Sequence, residues 1–200
     1  MTPQSKQRSE PSALHEHAQD NLRFIRATME STTAFTAVSG LGYILAGATA
    51  LFASWYAAQQ GSDSGWLSVW MSELLLAALV VLGLTARKAT QQGSSLLSAS
   101  GRKLLLAFLP AMLVGAVLTL SFLLNDRVAL LPGIWLSLYG AAVMTAGAWS
   151  VRPIPVMGAA FLILGALTLL TPLSADLLLG IGFGGLHIVF GYVIWSKYGG

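Results

Sequence analysis

Cysteine is missing from all 200 residues. Its absence rules out disulfides, thiolate nucleophiles and cysteine-based metal centres. Charge is scarce as well: Asp, Glu, Lys and Arg together make up 10% of the chain, against about 25% in an ordinary soluble domain. The formal net charge of +3 is small, and its charges sit in short clusters between apolar runs. That pattern does not make the basic face of a nucleic-acid binder, so no nucleic acid is expected as a partner. A Walker A loop, a dinucleotide fingerprint, a nucleophile elbow and an HExxH zinc pair are also missing. Serine and threonine are plentiful, but no plausible base accompanies them. The chain is expected not to be an enzyme, and no cofactor or metal is predicted.

What fills the chain instead is apolar sequence, 55% of the residues. A helix needs about 20 apolar residues to cross the hydrocarbon. Six stretches reach or approach that length, at residues 35–57, 66–86, 104–124, 129–150, 156–172 and 177–196. Backbone groups in lipid must be satisfied internally, so these read as helices. Short alternating segments of the kind a membrane barrel needs are not seen. The expected fold is all-α: a polytopic bundle of six transmembrane helices over residues 33–200, preceded by a cytoplasmic amphipathic helix.

Lys and Arg set the expected orientation. Ten of them (Lys6, Arg8, Arg23, Arg26, Arg87, Lys88, Arg102, Lys103, Arg152 and Lys197) fall on one side of this topology, and only Arg127 on the other. Both termini are therefore placed in the cytoplasm. Trp55, Tyr56, Trp66, Trp70, Trp149 and Trp195 fall near helix ends, where an aromatic belt would lie. The polar N-terminus is followed by a run long enough to span, which reads as a retained signal anchor and not a cleaved signal peptide.

Residues 1–11 read as a disordered polar tail. Ser12, after Pro11, can cap a helix over 12–32. Leu14, Ala18, Leu22, Ile25 and Met29 recur there at helical spacing, with Arg23 and Arg26 beside the stripe. Such a face can rest on anionic lipid, on a partner helix or on the bundle itself. His15 and His17 are two residues apart and do not share a helix face, so they do not suggest a metal site.

The stretch GFGGLHIVFG carries His187 inside a predicted span. Gly180, Gly184, His187 and Gly191 are spaced four, three and four, which places them on one helix face. Gly180 and Gly184 form a GxxxG pair that lets another helix approach closely. Three uses of His187 follow. It can join helices as a neutral imidazole, serve a proton relay or touch a substrate, or bind haem axially. The last use lacks a second intramembrane histidine.

Glu73 is the only acid inside a predicted span. It either reaches up to the outer interface or joins His187 or Tyr139 in a polar pocket open to the outside. Pro110 interrupts the third span and is a candidate kink. WLSVW at Trp66 and WLSLY at Trp135, with recurring Gly-Ala pairs at Gly47, Gly115 and Gly165, suggest three helical hairpins of one orientation.

The segments NLRFIRATMESTTAFTAVSG, VRPIPVMG and GFGGLHIVFGYVIWSKYGG together resemble a group of small, uncharacterised six-helix bacterial inner-membrane proteins that end in a GFGGLHIVFG…YGG segment. The resemblance implies a bacterial inner-membrane location and supplies no activity. Two functional expectations remain. The first is a non-enzymatic accessory, scaffold or sensory subunit that acts through helix contacts with another membrane protein or a second copy. The alternative is a small proton-linked transporter or channel using Glu73 and His187.

Overall fold

Alternating chain direction and short turns set the architecture. The computed structural model of the protein describes residues 17–25, 28 and 34–199, and the chain divides into two units, Met1–Thr33 and Ala34–Gly200. In the first unit residues 17–25 are helical. Arg23 lies 3.6 Å from Asp20 one turn earlier, and the Thr28 hydroxyl donates to the Phe24 carbonyl. Ala18, Leu22 and Ile25 of the expected stripe, and Arg23 beside it, fall in this helical stretch. Leu14, Arg26, Met29, His15 and the 1–11 tail lie outside the described residues.

The second unit holds six helices: α1 Gly40–Ala57, α2 Asp63–Gln91, α3 Ala99–Leu124, α4 Leu131–Gly147, α5 Pro153–Leu170 and α6 Ala175–Tyr198. A short 3-10 turn, Val128–Leu130, leads into α4. The helices α2 to α6 are each long and apolar enough to cross a membrane, α4 together with its leading turn. This is a multi-pass membrane protein, with apolar faces suited to bilayer contact. Helix α1 is 18 residues long but is diluted by Gly40, Gly42, Gly47, Thr49 and Ser54, and it does not reach the same apolarity.

Three boundaries differ from the expected spans, each for a local reason. Helix α1 begins at Gly40 and not near Phe35, because Phe35 is engaged elsewhere. Its N–H donates to the Trp149 carbonyl at 2.8 Å, and the Ser150 hydroxyl donates to the Phe35 carbonyl at 2.8 Å. These bonds make an isolated parallel bridge. Ser39 then caps α1 by accepting from the Gly42 N–H. The expected loop between the second and third spans also shrinks. Helix α2 runs on to Gln91, and Ser98 caps α3, so Arg87, Lys88, Arg102 and Lys103 are helical. Helix α3 continues through Pro110, where the ring leaves the Leu106 carbonyl without its usual helical donor.

Glycines spaced by seven position the helices. A seven-residue spacing keeps them on one seam of a slightly underwound helix. Helices α1 and α6 run antiparallel along such a seam. A Cβ on Gly47 would lie 2.7 Å from the Gly184 carbonyl oxygen, and one on Gly191 would lie 2.8 Å from the Ile44 nitrogen and 2.9 Å from the Gly40 oxygen. Helices α4 and α5 repeat the arrangement. A Cβ on Gly140 would meet the Gly158 oxygen at 2.8 Å, and one on Gly147 would meet the Pro155 nitrogen at 2.7 Å. In both pairs backbone touches backbone. Lipid tails are as apolar as the helices, so such close packing, and not water exclusion, drives association.

Polar clamps close the α1–α2–α6 group at both ends. On the face that carries most of the basic residues, the Lys88 ammonium donates to the carbonyls of Val38 (3.0 Å), Tyr198 (2.9 Å) and Gly199 (2.5 Å). The Ser39 N–H donates to Thr85 beside it. At the opposite face the Ser54 hydroxyl donates to the Asp176 carbonyl, and the Trp66 indole donates to the Asp176 carboxylate. Helices α2 and α3 are the least covered: 11% and 6% of their most apolar windows are buried, against 44% in α4 and α6. They are the helices that present the most surface to lipid.

The seams make a direct prediction. Gly191→Leu and Gly140→Leu put carbon into backbone contacts that cannot yield, whereas a Cβ on Gly83 meets nothing within 4 Å. Overpacking costs about 1–3 kcal/mol. Thermal unfolding in detergent should therefore show a lowered midpoint for both leucine variants and none for Gly83→Ala. Equal midpoints in all three would remove the seams as the basis of packing.

Candidate functional site

The histidine is set by an irregularity in its own helix. Helix α6 starts as one α-turn, Ala175–Leu179, becomes a π-helix over Gly180–Leu186, and returns to α-helix at His187. A π-turn widens the helix and shifts the rotation of everything after it. The 100° projection that put Gly180, Gly184, His187 and Gly191 on one face therefore does not hold through this stretch. The structure separates their tasks. Gly180 meets Ser54, Gly184 meets Leu51, and Gly191 meets Ile44, all on α1. Gly182 packs on the other side, where a Cβ would lie 2.5 Å from Leu136 and 3.1 Å from Phe161. His187 turns into the bundle.

There it is buried and ringed by aromatic side chains. Its ring centroid lies 5.3 Å from that of Tyr43, 5.5 Å from Tyr139, 5.5 Å from Phe161 and 6.2 Å from Phe183. Its Nε2 is 2.7 Å from the Tyr139 hydroxyl. Its Nδ1 is buried without a hydrogen-bond partner. Which of Nε2 and the Tyr139 hydroxyl donates is set by the tautomer of the ring. The bond joins α6 to α4, while the ring contacts reach α1 and α5. A neutral imidazole that joins helices through a hydroxyl is one of the three uses the sequence allows.

The aromatic contacts continue toward the opposite face. Phe183 packs on Trp70, Trp70 on Trp66, and Trp66 stacks on Trp135 at 5.3 Å. The Trp135 indole donates to Thr119 on α3. The Trp70 indole nitrogen is buried without a partner. This column ties α2 and α4 to α6.

Glu73 lies elsewhere. Its Oε1 accepts from the Thr49 hydroxyl of α1 at 2.8 Å, and it does not join His187 or Tyr139, which bond each other. It sits ten residues into α2, about 15 Å along the helix from Asp63. The carboxyl group faces a groove of about 590 Å³ between α1 and α2. Phe52, Tyr56, Val69 and Leu76 line the groove, with Ser68, Ser72 and Thr49 as its other polar groups. Phe52 and Tyr56 lie nearly parallel, 4° apart with centroids 6.2 Å apart. Among the described residues no basic side chain pairs with Glu73, and no group of acids and histidines forms a metal cluster.

Sequence reasoning singled out both ionisable groups but could not see what each touches. It also missed the buried clamp of Lys88. The only available signal there was its position one residue after Arg87, at the end of an apolar run.

No protein-family model matches the chain, and no curated protein or solved structure matches it.

The Tyr139–His187 bond can be measured by a double-mutant cycle. Tyr139→Phe and His187→Phe, singly and together, should give a coupling of about 0.6–1.7 kcal/mol in unfolding free energy, the range for hydrogen bonds between membrane helices. Strict additivity would show that the bond contributes nothing to packing.

Proposed function

We propose that the protein is a non-enzymatic, proton-linked carrier of the bacterial inner membrane, with six spans, both termini in the cytoplasm and Glu73 as its working group. The observation that carries this reading is the Glu73 carboxyl group, held by Thr49 within a groove that opens on the bundle surface. Ionisable groups are costly in a membrane span and mark ligand or proton paths by default. His187 enters this reading as a packing group, since Tyr139 occupies its Nε2.

The orientation is supported by the Lys and Arg bias, with Lys88, Lys103, Arg152 and Lys197 toward the face where the chain enters α1 and leaves α6. The absence of cysteine makes the topology easy to test. A cysteine introduced at Gly61 should react with an impermeant maleimide added outside intact spheroplasts, and one at Gly93 should react only after lysis. The opposite pattern would invert the proposed orientation.

The accessory-subunit reading drew on the glycine faces. Gly180, Gly184 and Gly191 are taken up against α1 within the chain, so they leave no seam for a partner. What favours a partner is the bare surface of α3. The two readings separate in one preparation. Protein purified in mild detergent from its native membrane should be free of stoichiometric companions. On a supported membrane it should give a transient current after a pH step through the carboxylate titration range, lost in Glu73→Gln and kept in Gly83→Ala. A stoichiometric companion together with no Glu73-dependent current would return the function to a subunit role.

A further inference from the structure

The groove between α1 and α2 combines four features. It is open along the outer surface of the bundle, where Ala48, Phe52, Tyr56 and Leu76 are exposed. Its volume of about 590 Å³ lies within the range of small-molecule sites, about 300–1,000 Å³. Its walls are mostly apolar, with two stacked aromatic rings on one side. Its floor holds a single carboxyl group that no described basic residue neutralises.

Each feature excludes a class of ligand. One carboxylate and a few hydroxyls are too few for Ca²⁺, which takes six to eight oxygens, or for the octahedral shell of Mg²⁺. A small hydrated cation would lose more solvation than the four hydroxyl-bearing residues of the lining can replace. An anion would meet the carboxylate and no counter-charge. A neutral hydrocarbon would fill the walls and leave the charged form of the carboxyl group without a counter-ion. A cation that carries its charge inside an apolar, partly aromatic body satisfies all four features. It has little hydration to lose, its charge meets Glu73 and the ring faces of Phe52 and Tyr56, and its body replaces lipid along the walls.

We propose that the groove is a binding site for lipophilic organic monocations that enter it laterally from the bilayer, with Glu73 as the counter-ion. The proposal rests on the reading of Glu73 as the working group and deepens it by naming the ligand class. Binding of the cation and of a proton at Glu73 is mutually exclusive, since both use the same carboxylate. Tyr56 is the only other ionisable side chain lining the groove from either helix.

The test uses the purified full chain in detergent and equilibrium binding of tetraphenylphosphonium. Triphenylphosphine oxide serves as a neutral probe of similar body, and choline as a hydrophilic cation. The wild type should bind tetraphenylphosphonium at least tenfold more tightly than either control. Glu73→Gln should lose that preference, and so should Ala48→Leu, which fills the groove but keeps the charge. Unchanged unfolding midpoints establish that both variants are folded, and if Glu73→Gln is unfolded, Thr49→Val with Ala48→Leu decides instead. Equal affinity for the cation and the neutral probe, or a preference that survives Glu73→Gln, would overturn the site. The pH-step current is measured without any organic cation. A Glu73-dependent current with no cation preference would therefore sink the ligand class and leave the carrier reading standing. Cation binding without a current would sink proton coupling and leave the site.

Discussion

Close backbone approach is the constraint on which this fold depends. In a bilayer two helices gain nothing by hiding apolar side chains from each other, because lipid hides them as well. They gain by touching over more atoms than lipid can, and glycine allows this because nothing stands between the backbones. The seven-residue spacing of Gly40 with Gly47, and of Gly184 with Gly191, holds α1 against α6 along its length. Gly140 and Gly147 do the same for α4 against α5, and Gly133 admits the Leu169 side chain beside them. Helix α3, by contrast, is almost uncovered and richly apolar.

With the backbones so close, polar side chains find partners across short distances. Lys88 shows the principle most clearly. A lysine at the end of a span normally reaches into the headgroups. Here the ammonium instead takes up carbonyls at the end of α6, where the helix leaves its last acceptors unsatisfied. A cation at that position is also favoured by the helix dipole. The same ammonium holds the Val38 carbonyl in the segment leading into α1. One side chain of α2 thus ties the end of α6 to the segment that leads into α1. The Asp176 contacts with Ser54 and Trp66 close the far end of the same group.

The parts legible in the sequence were those set by composition and period. Long apolar runs fix the number and approximate place of the helices, and GxxxG spacing marks Gly180 and Gly184 as contact points. The start of α1 was not legible, because Phe35 is apolar in either case and only its bridge to Trp149 and Ser150, more than a hundred residues away, ends the helix before it. The π-turn was not legible either. Four glycines among Gly180–Leu186 make it possible, but the same glycines suit an ordinary helix contact. Glu73 and His187 stood out singly because ionisable groups are rare in spans. Their separation could not be read, since no sequence rule states which helices touch.

That separation shapes the functional argument. An imidazole can be neutral, and His187 is held among rings by one hydrogen bond, to Tyr139, while its Nδ1 stays unpaired. A carboxyl group can also rest neutral, but its charged form needs more than one partner. Thr49 supplies one hydrogen bond to one oxygen, which is too little to hold a charge in an apolar groove and more than an inert side chain would need. A group balanced in this way responds to whatever brings a positive charge near it, a proton or a cation. Two ionisable residues lie within apolar helices; one is bonded to a tyrosine and the other faces a groove, which is why the proposed function rests on Glu73.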